Sequence, residues 1–191
     1  GDGQDARWGD GNRTDLAARE RTDCCVVGFL RRLTYPLLPG ILMIRKAILQ
    51  DARQIHQLLM VYVKEGLVLS RSLMDIFESI RDFYVFVEDD RVVGVAALNI
   101  CWEDLAEVRS LVVHEDVAGR GIGSHLVEAC LSEARQLGIG RVFALTYQQS
   151  FFERLGFEVI EKSELPQKIW SDCIKCVKFP DCDEIALSIS L

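Results

Sequence analysis

A mixed α+β domain built on one sheet is what this 191-residue sequence predicts, and three observations predict it. Short apolar runs of strand character recur through the chain. Two stretches carry apolar residues at helical spacing. Strands and helices alternate from residue 44 onward, with one pair of strands joined by a tight polar turn.

The elements read in order as follows. Residues 44–48 predict a strand. Asp51 is placed to cap a helix whose apolar stripe is Ile55, Leu58, Leu59, Tyr62 and Val63, and Gly66 stops it. Leu73, Ile76, Phe77 and Ile80 mark a second, short helix. Residues 83–88 and 92–100 flank the turn Asp89-Asp90-Arg91 and predict a hairpin. Residues 106–114 continue as a strand. A glycine loop then opens a long helix that buries Ile122, Leu126, Val127, Cys130, Leu131 and Ala134 and ends at Gly138 and Gly140. Residues 142–147 predict a strand and 150–155 a short helix, and 157–160 and 184–190 are expected to pair near the end.

The chain length suits one domain plus extra length. Residues 1–42 differ from the rest, with a polar, glycine-rich start that has neither helical nor strand period. They read as a leader of tag, over-extended or disordered type, with Met43 a natural start for a domain over 43–191. Nearly half of the residues are hydrophobic (49%), enough for a sizeable core. The net charge of −7 argues against a nucleic-acid surface and leaves room for a local basic pocket. Seven cysteines, two of them adjacent at Cys24-Cys25, suit a disulfide framework poorly and are expected as reduced thiols of a cytoplasmic protein. The most apolar stretch, 24–43, is broken by Arg31, Arg32, Pro36, Pro39 and Gly40, so no membrane span is expected.

The loop Gly119-Arg120-Gly121-Ile122-Gly123-Ser124 lies between a strand and a helix. First-turn amides of a helix lack intrahelical acceptors, and the peptide dipoles make that end positive. Glycines at 119, 121 and 123 leave room for a pyrophosphate there, and Arg120 adds a charge. The glycine spacing does not fit a dinucleotide-binding fingerprint, and the lysine and hydroxyl of a Walker loop are missing. An ordinary glycine turn is the alternative.

Leu111-Val112-Val113-His114 with this loop and its helix resembles the cofactor motif of the GCN5-related N-acetyltransferase superfamily, and Phe151-Phe152-Glu153-Arg154-Leu155-Gly156-Phe157 resembles its next motif. The resemblance implies that superfamily's fold, a mostly antiparallel mixed sheet with splayed central strands flanked by helices. It also implies acetyl-CoA as co-substrate, with Leu111, Val112 and Val113 holding the pantetheine arm and thioester carbonyl. Two positions depart from the pattern. Ala118 stands where Arg or Gln is usual, and Phe152 stands where a tyrosine often protonates the leaving thiolate.

Strand alternation puts Glu107 and Arg109 on one face. The acceptor amine is mostly protonated at neutral pH, and Glu107 is the candidate base, directly or through water. The alternative is a solvated Glu107–Arg109 charge pair. Tyr147, at the end of the next strand, is the candidate acid, and a packing tyrosine with its hydroxyl at the rim is the alternative.

A closer likeness bears on the acceptor. Arg71-Ser72-Leu73, Ile80-Arg81-Asp82-Phe83-Tyr84-Val85, the run from Trp102 to Leu111, Leu145-Thr146-Tyr147 and the tail from Lys168 to Cys176 are similar to the short, stand-alone bacterial N-acetylglutamate synthases. This implies acetyl transfer to the α-amine of L-glutamate at the entry to arginine biosynthesis. A dicarboxylate calls for fixed cations. Arg71 and Arg109 are the candidates, with Lys168 a weaker one. The chain has no room for the amino-acid-kinase-like domain of the larger synthases. Another amine acceptor and a non-catalytic acyl-CoA-binding module stay open as alternatives, and a homodimer is only the superfamily's habit.

Cys173, Cys176 and Cys182 have a spacing that can begin a zinc site, but a closed site needs a fourth ligand such as Asp172, Asp183 or Cys101. The expectation is a reduced thiol cluster without metal, with redox sensing as a further alternative. His56, His114 and His125 show no ligand spacing, and His125 reads as a surface residue of the long helix.

Overall fold

The computed structural model describes residues 43–165 and 183–191. The leader at 1–42 with Cys24 and Cys25, Lys168, and the tail cysteines Cys173, Cys176 and Cys182 lie outside the described residues. In chain order the elements are β1 (Met43–Lys46), α1 (Ala52–Lys64), α2 (Leu73–Glu78), β2 (Phe83–Glu88), β3 (Arg91–Trp102), β4 (Leu105–Val113), α3 (Ile122–Gln136), β5 (Arg141–Thr146), α4 (Gln149–Glu153), β6 (Glu158–Ile160) and β7 (Ile185–Ser190). Every element expected from the sequence is present, with shifts of one or two residues at most ends.

The seven strands form one sheet in the order β1-β2-β3-β4-β5-β7-β6. All pairs are antiparallel except β4 with β5. The β2–β3 hairpin turns through Asp89 and Asp90, both left-handed at φ 48° and 61°. Two consecutive left-handed residues match the right-handed twist of the flanking strands, and aspartate tolerates that conformation.

Helices cover both faces. Ile55, Leu58 and Leu59 of α1 and Ile76 of α2 pack against Phe83, Val85, Val95, Ala97 and Val112. On the other face α3 lays Ile122, Leu126, Val127, Cys130, Leu131 and Ala134 over Ala96, Leu98, Ala106 and Val108. Gly94 permits this seating: a Cβ there would lie 3.0 Å from Ile122 Cγ2 and 3.1 Å from Leu126 Cδ1. Lys46 pins α3 to the sheet edge, donating to Glu133 Oε2 at 2.5 Å and lying 4.2 Å from the centroid of the Tyr84 ring.

Asp51 precedes α1 as expected, but its carboxylate does not cap the helix. It accepts the Ile48 N–H at 2.8 Å and takes both terminal nitrogens of Arg45, at 2.5 and 3.0 Å. Burial pushes the Asp51 carboxyl up, but the Arg45 guanidinium and the Ile48 amide outweigh it and hold the pKa below the ordinary value. A depressed carboxylate stabilises the fold above its unfolded pKa, and this is lost as pH falls through the lower folded value. Asp51→Ala is therefore expected to cost about 2–4 kcal/mol at neutral pH, since it leaves a half-buried guanidinium without its carboxylate. Urea unfolding at neutral and acid pH checks this, and the gap from the parent should narrow in acid.

Candidate active site

β4 organises the site because its two halves have different neighbours. β5 pairs with it only at Leu105, Ala106 and Glu107, opposite Arg141, Val142 and Phe143. From Val108 onward β4 is held by β3 on one side while its other edge parts from β5. The strand also carries a bulge: Ala97 is opposite Arg109 and Val95 is opposite Val112, so two residues of β4 answer one of β3. Ser110, inside this bulge, has φ 53°.

The bulge resets the side-chain alternation. Ala106 and Val108 face α3, and after the extra residue Leu111 and Val113 do so again. Val112 instead joins the core under α1 and α2. Glu107 and Arg109 pair with Asn99 and Ala97, which puts both on the α1–α2 face. The alternation read from the sequence thus holds through Arg109 and breaks one residue later. Nothing in the sequence marks Ser110 for this, since it is neither glycine nor asparagine.

Glu107 is the last residue paired with β5, so its carboxylate stands where the strands part. Its Oε2 lies 4.0 Å from Arg109 Nη1, and both side chains are 15% exposed. Arg71 reaches the same strand: its Nε donates to Ser110 Oγ at 3.1 Å. Arg71 immediately precedes the capped start of α2, where Ser72 and Asp75 exchange reciprocal hydrogen bonds. Asp82 joins this neighbourhood. Burial pushes its carboxyl up, with Arg109, Lys46 and Arg71 opposing and Glu133 adding to the rise. Arg71, Glu107 and Arg109, chosen from the sequence, therefore meet at one stretch of β4. Asp82 was not singled out, because it lies far along the chain from Arg109 and shows no spacing signal.

The glycine loop sits at the head of α3. Gly119 and Gly121 are both left-handed at φ +77°, and Gly121 is the residue before the first helical turn. No atom lies within 4 Å of a Cβ built at Gly119, and only His125 Cε1, at 3.9 Å, is near one at Gly121. A Cβ at Gly123 would instead point at the Phe151 ring (3.4 Å) and Val113 Cγ2 (3.8 Å). Gly123 thus lets the start of α3 sit close to Phe151 of α4 and Val113 of β4. Backbone amides in this geometry fit a pyrophosphate, and the parted edge of β4 fits an amide-bearing arm running on from it. Arg120 is placed differently from what its position suggests. Its guanidinium is bound to the Glu88 carboxylate through two contacts of 3.1 and 2.9 Å, and each group draws the other toward the charged form. Its charge belongs to an ion pair at the end of β2.

Tyr147 follows β5 and donates its hydroxyl to Asp183 Oδ1 at 2.8 Å. Phe152 is 3% exposed and packs edge-on against Phe151 and Phe157, each with ring centroids 5.1 Å away. This position has no proton to give and serves the core. Tyr62, read only as part of the apolar stripe of α1, donates its hydroxyl to the Val113 carbonyl at 2.6 Å. Burial, with Glu115 and Glu65 nearby, raises its pKa. Cys130 is fully buried, and burial pushes its thiol up to about 12, which leaves it inert at neutral pH. Among the described residues no group of three or more His, Cys, Asp or Glu is arranged to hold a metal ion, and no helix is long and apolar enough to cross a membrane.

A mixed sheet parted between two central strands, with a glycine-headed helix beside the parting, is the arrangement that the resemblance to the acetyl-CoA-using N-acetyltransferases implies. Comparison with known proteins agrees. The model of the acetyltransferase (GNAT) family matches residues 47–157. An uncharacterized N-acetyltransferase of Chlorobaculum tepidum is 43% identical over 144 residues, covering 75% of this chain and 93% of that protein. An amino-acid acetyltransferase of Mycobacterium tuberculosis is 34% identical over 132 residues, covering 68% of this chain and 75% of its own length. The crystal structure of N-acetylglutamate synthase from Neisseria gonorrhoeae, complexed with coenzyme A and N-acetyl-glutamate, superposes with a TM-score of 0.72 at 27% identity. That match spans 79% of this chain and 35% of the other. The chain belongs to the acetyltransferase (GNAT) family, and it is an acetyltransferase that takes acetyl-CoA as co-substrate.

Proposed function

We propose that the enzyme transfers the acetyl group of acetyl-CoA to the α-amine of L-glutamate, giving N-acetyl-L-glutamate and CoA, a reaction of arginine biosynthesis. The observation that carries this reading is the placement of Glu107, Arg109 and Arg71 together where β4 leaves β5. A carboxylate beside two guanidiniums suits an acceptor that must lose an amine proton and be held by two carboxylates. The named relatives support the same reading, one as an amino-acid acetyltransferase and one as a structure holding N-acetyl-glutamate.

In the proposed mechanism the pyrophosphate lies on the amides of Gly119, Gly121, Ile122, Gly123 and Ser124, and the pantetheine arm follows Leu111, Val112 and Val113. Arg120 contributes to the phosphate only by leaving Glu88. Glu107 accepts a proton from the ammonium, directly or through water, and the neutral nitrogen attacks the thioester carbonyl carbon. A β4 amide aimed at the carbonyl oxygen stabilises the negative charge that develops there. As the carbon–sulfur bond breaks, the thiolate takes a proton. Tyr147 is the proposed donor, recovering its proton from solvent, with Asp183 orienting the hydroxyl it accepts from. Arg109 and Arg71 hold the acceptor's carboxylates, and Lys168 is a further candidate outside the described residues. The proposed setting is the cytoplasm, with small molecules as the partners.

The test is an acceptor panel of L-glutamate, L-glutamine, L-aspartate, other amino acids and a polyamine, each supplied with acetyl-CoA while thiol release is followed. The highest kcat/KM is expected with L-glutamate. Turnover with a polyamine and none with glutamate overturns the proposal. Tight acetyl-CoA binding without turnover on any amine favours a regulatory acyl-CoA-binding role instead.

A further inference from the structure

Ser110 is a residue whose backbone is unfavourable for it. At φ 53° its Cβ crowds the backbone, a penalty of about 1–2 kcal/mol that glycine would avoid. The serine side chain therefore has to return something that glycine cannot. Its Oγ accepts the Arg71 Nε–H at 3.1 Å, a hydrogen bond strengthened by the donor's charge.

The place of this bond matters more than its strength. Ser110 is in the bulge, and the bulge decides where the amides of the following residues point, because the extra residue flips the alternation after Arg109. The stretch it controls, Leu111 to Val113, has no β5 ladder to fix it, since that pairing ends at Glu107. The helical layer holds the stretch at both ends. Arg71 bonds Ser110 at its start, and Tyr62 bonds the Val113 carbonyl at its end.

We infer that Ser110 and Arg71 act as a positioning pair for acyl transfer: the Arg71–Ser110 bond fixes the bulge and so aims the β4 amides at the thioester. Because Arg71 reaches β4 one residue beyond Arg109, an acceptor that orders Arg71 also orders the strand that receives the thioester. The inference rests on acetyl transfer along β4, and it does not depend on which amine accepts.

Ser110→Gly tests it, since glycine keeps the left-handed backbone and removes the hydroxymethyl group that accepts the Arg71 bond. The expected result is a fall in kcat of about tenfold or more, with KM for acetyl-CoA changed by less than about twofold. Hydrogen exchange at the amides of Leu111 to Val113 should quicken in the same variant. Ser110→Asn, which tolerates the conformation and offers a side-chain carbonyl to Arg71, should recover most of the rate. In an Arg71→Met background, which has no side-chain donor, Ser110→Gly should cost little more, because the bond is already gone. Unchanged kcat or unchanged amide exchange in Ser110→Gly overturns the inference, as does full additivity with Arg71→Met. The assays use whichever amine turns over fastest in the acceptor panel. Failure of glutamate there leaves this inference standing, and the amide-exchange result does not depend on any acceptor.

Discussion

Glu107→Gln should lower kcat by about 10²–10⁴-fold near neutral pH and leave acetyl-CoA binding unchanged. The substitution preserves shape and removes the carboxylate at the parting of β4 and β5 that is proposed to accept the ammonium proton. The size of the loss should depend on pH in a definite direction. At neutral pH the acceptor amine is almost wholly protonated, and the parent enzyme alone has a base beside it. As pH rises through the amine's own pKa, free amine appears without help and the gap between parent and variant should close. A pH–rate series on both proteins measures this. A gap of constant size across the series would assign Glu107 to charge pairing with Arg109, 4.0 Å away, and not to proton transfer. Acetyl-CoA binding by calorimetry confirms that the cofactor half of the site is untouched.

The sequence made the two halves of this site legible to different depths. Glycines at 119, 121 and 123 between a strand and a helix are a local signal, because left-handed backbone and absent side chains are written into residue type. Alternation put Glu107 and Arg109 on one face, and it held because no irregularity intervenes between them. Alternation also fails without warning. Ser110 sits in a left-handed bulge that no residue preference marks, since tertiary contacts with Arg71 and β3 hold it there. Tyr62 shows the same limit in another form. Its ring follows the helical stripe of α1 as read, but the reach of its hydroxyl to Val113 depends on how the helix sits over the sheet.

Charge placement was the least legible. Arg120 lies in the loop where a phosphate-binding cation is wanted, and the structure gives its guanidinium to Glu88 at the end of β2. Asp82 was unmarked, and it is one of the carboxylates under the influence of Arg109 and Arg71. Both facts come from pairings between distant segments, which periodicity does not encode. Asp51 makes the point at short range. Residue type and position both indicated a helix cap, yet Arg45, six residues back on β1, takes the carboxylate because the chain folds it within reach.

Gly123→Val should weaken acetyl-CoA binding by about tenfold to a hundredfold, or roughly 1.4–2.7 kcal/mol, and should lower thermal stability less than the same change at Gly94 or Gly121. The glycines of the loop differ in what they would suffer. Gly121 is left-handed, so a side chain there strains the backbone and mixes a folding defect with any binding defect. Gly94 is walled in by Ile122, Leu126 and Phe86, and a Cβ would push α3 off the sheet. Gly123 has neither problem. It lies within α3, where valine costs no more than glycine does, and a Cβ meets only ordinary contacts at 3.4 and 3.8 Å. Those contacts are Phe151 and Val113, which flank the head of α3 beside the proposed pyrophosphate site. The methyl groups of valine reach further than that Cβ and crowd this junction. Calorimetric titration with acetyl-CoA and a thermal melt together decide the matter. A variant that binds acetyl-CoA as the parent does would move the cofactor away from the head of α3 beside Gly123, and the pyrophosphate with it.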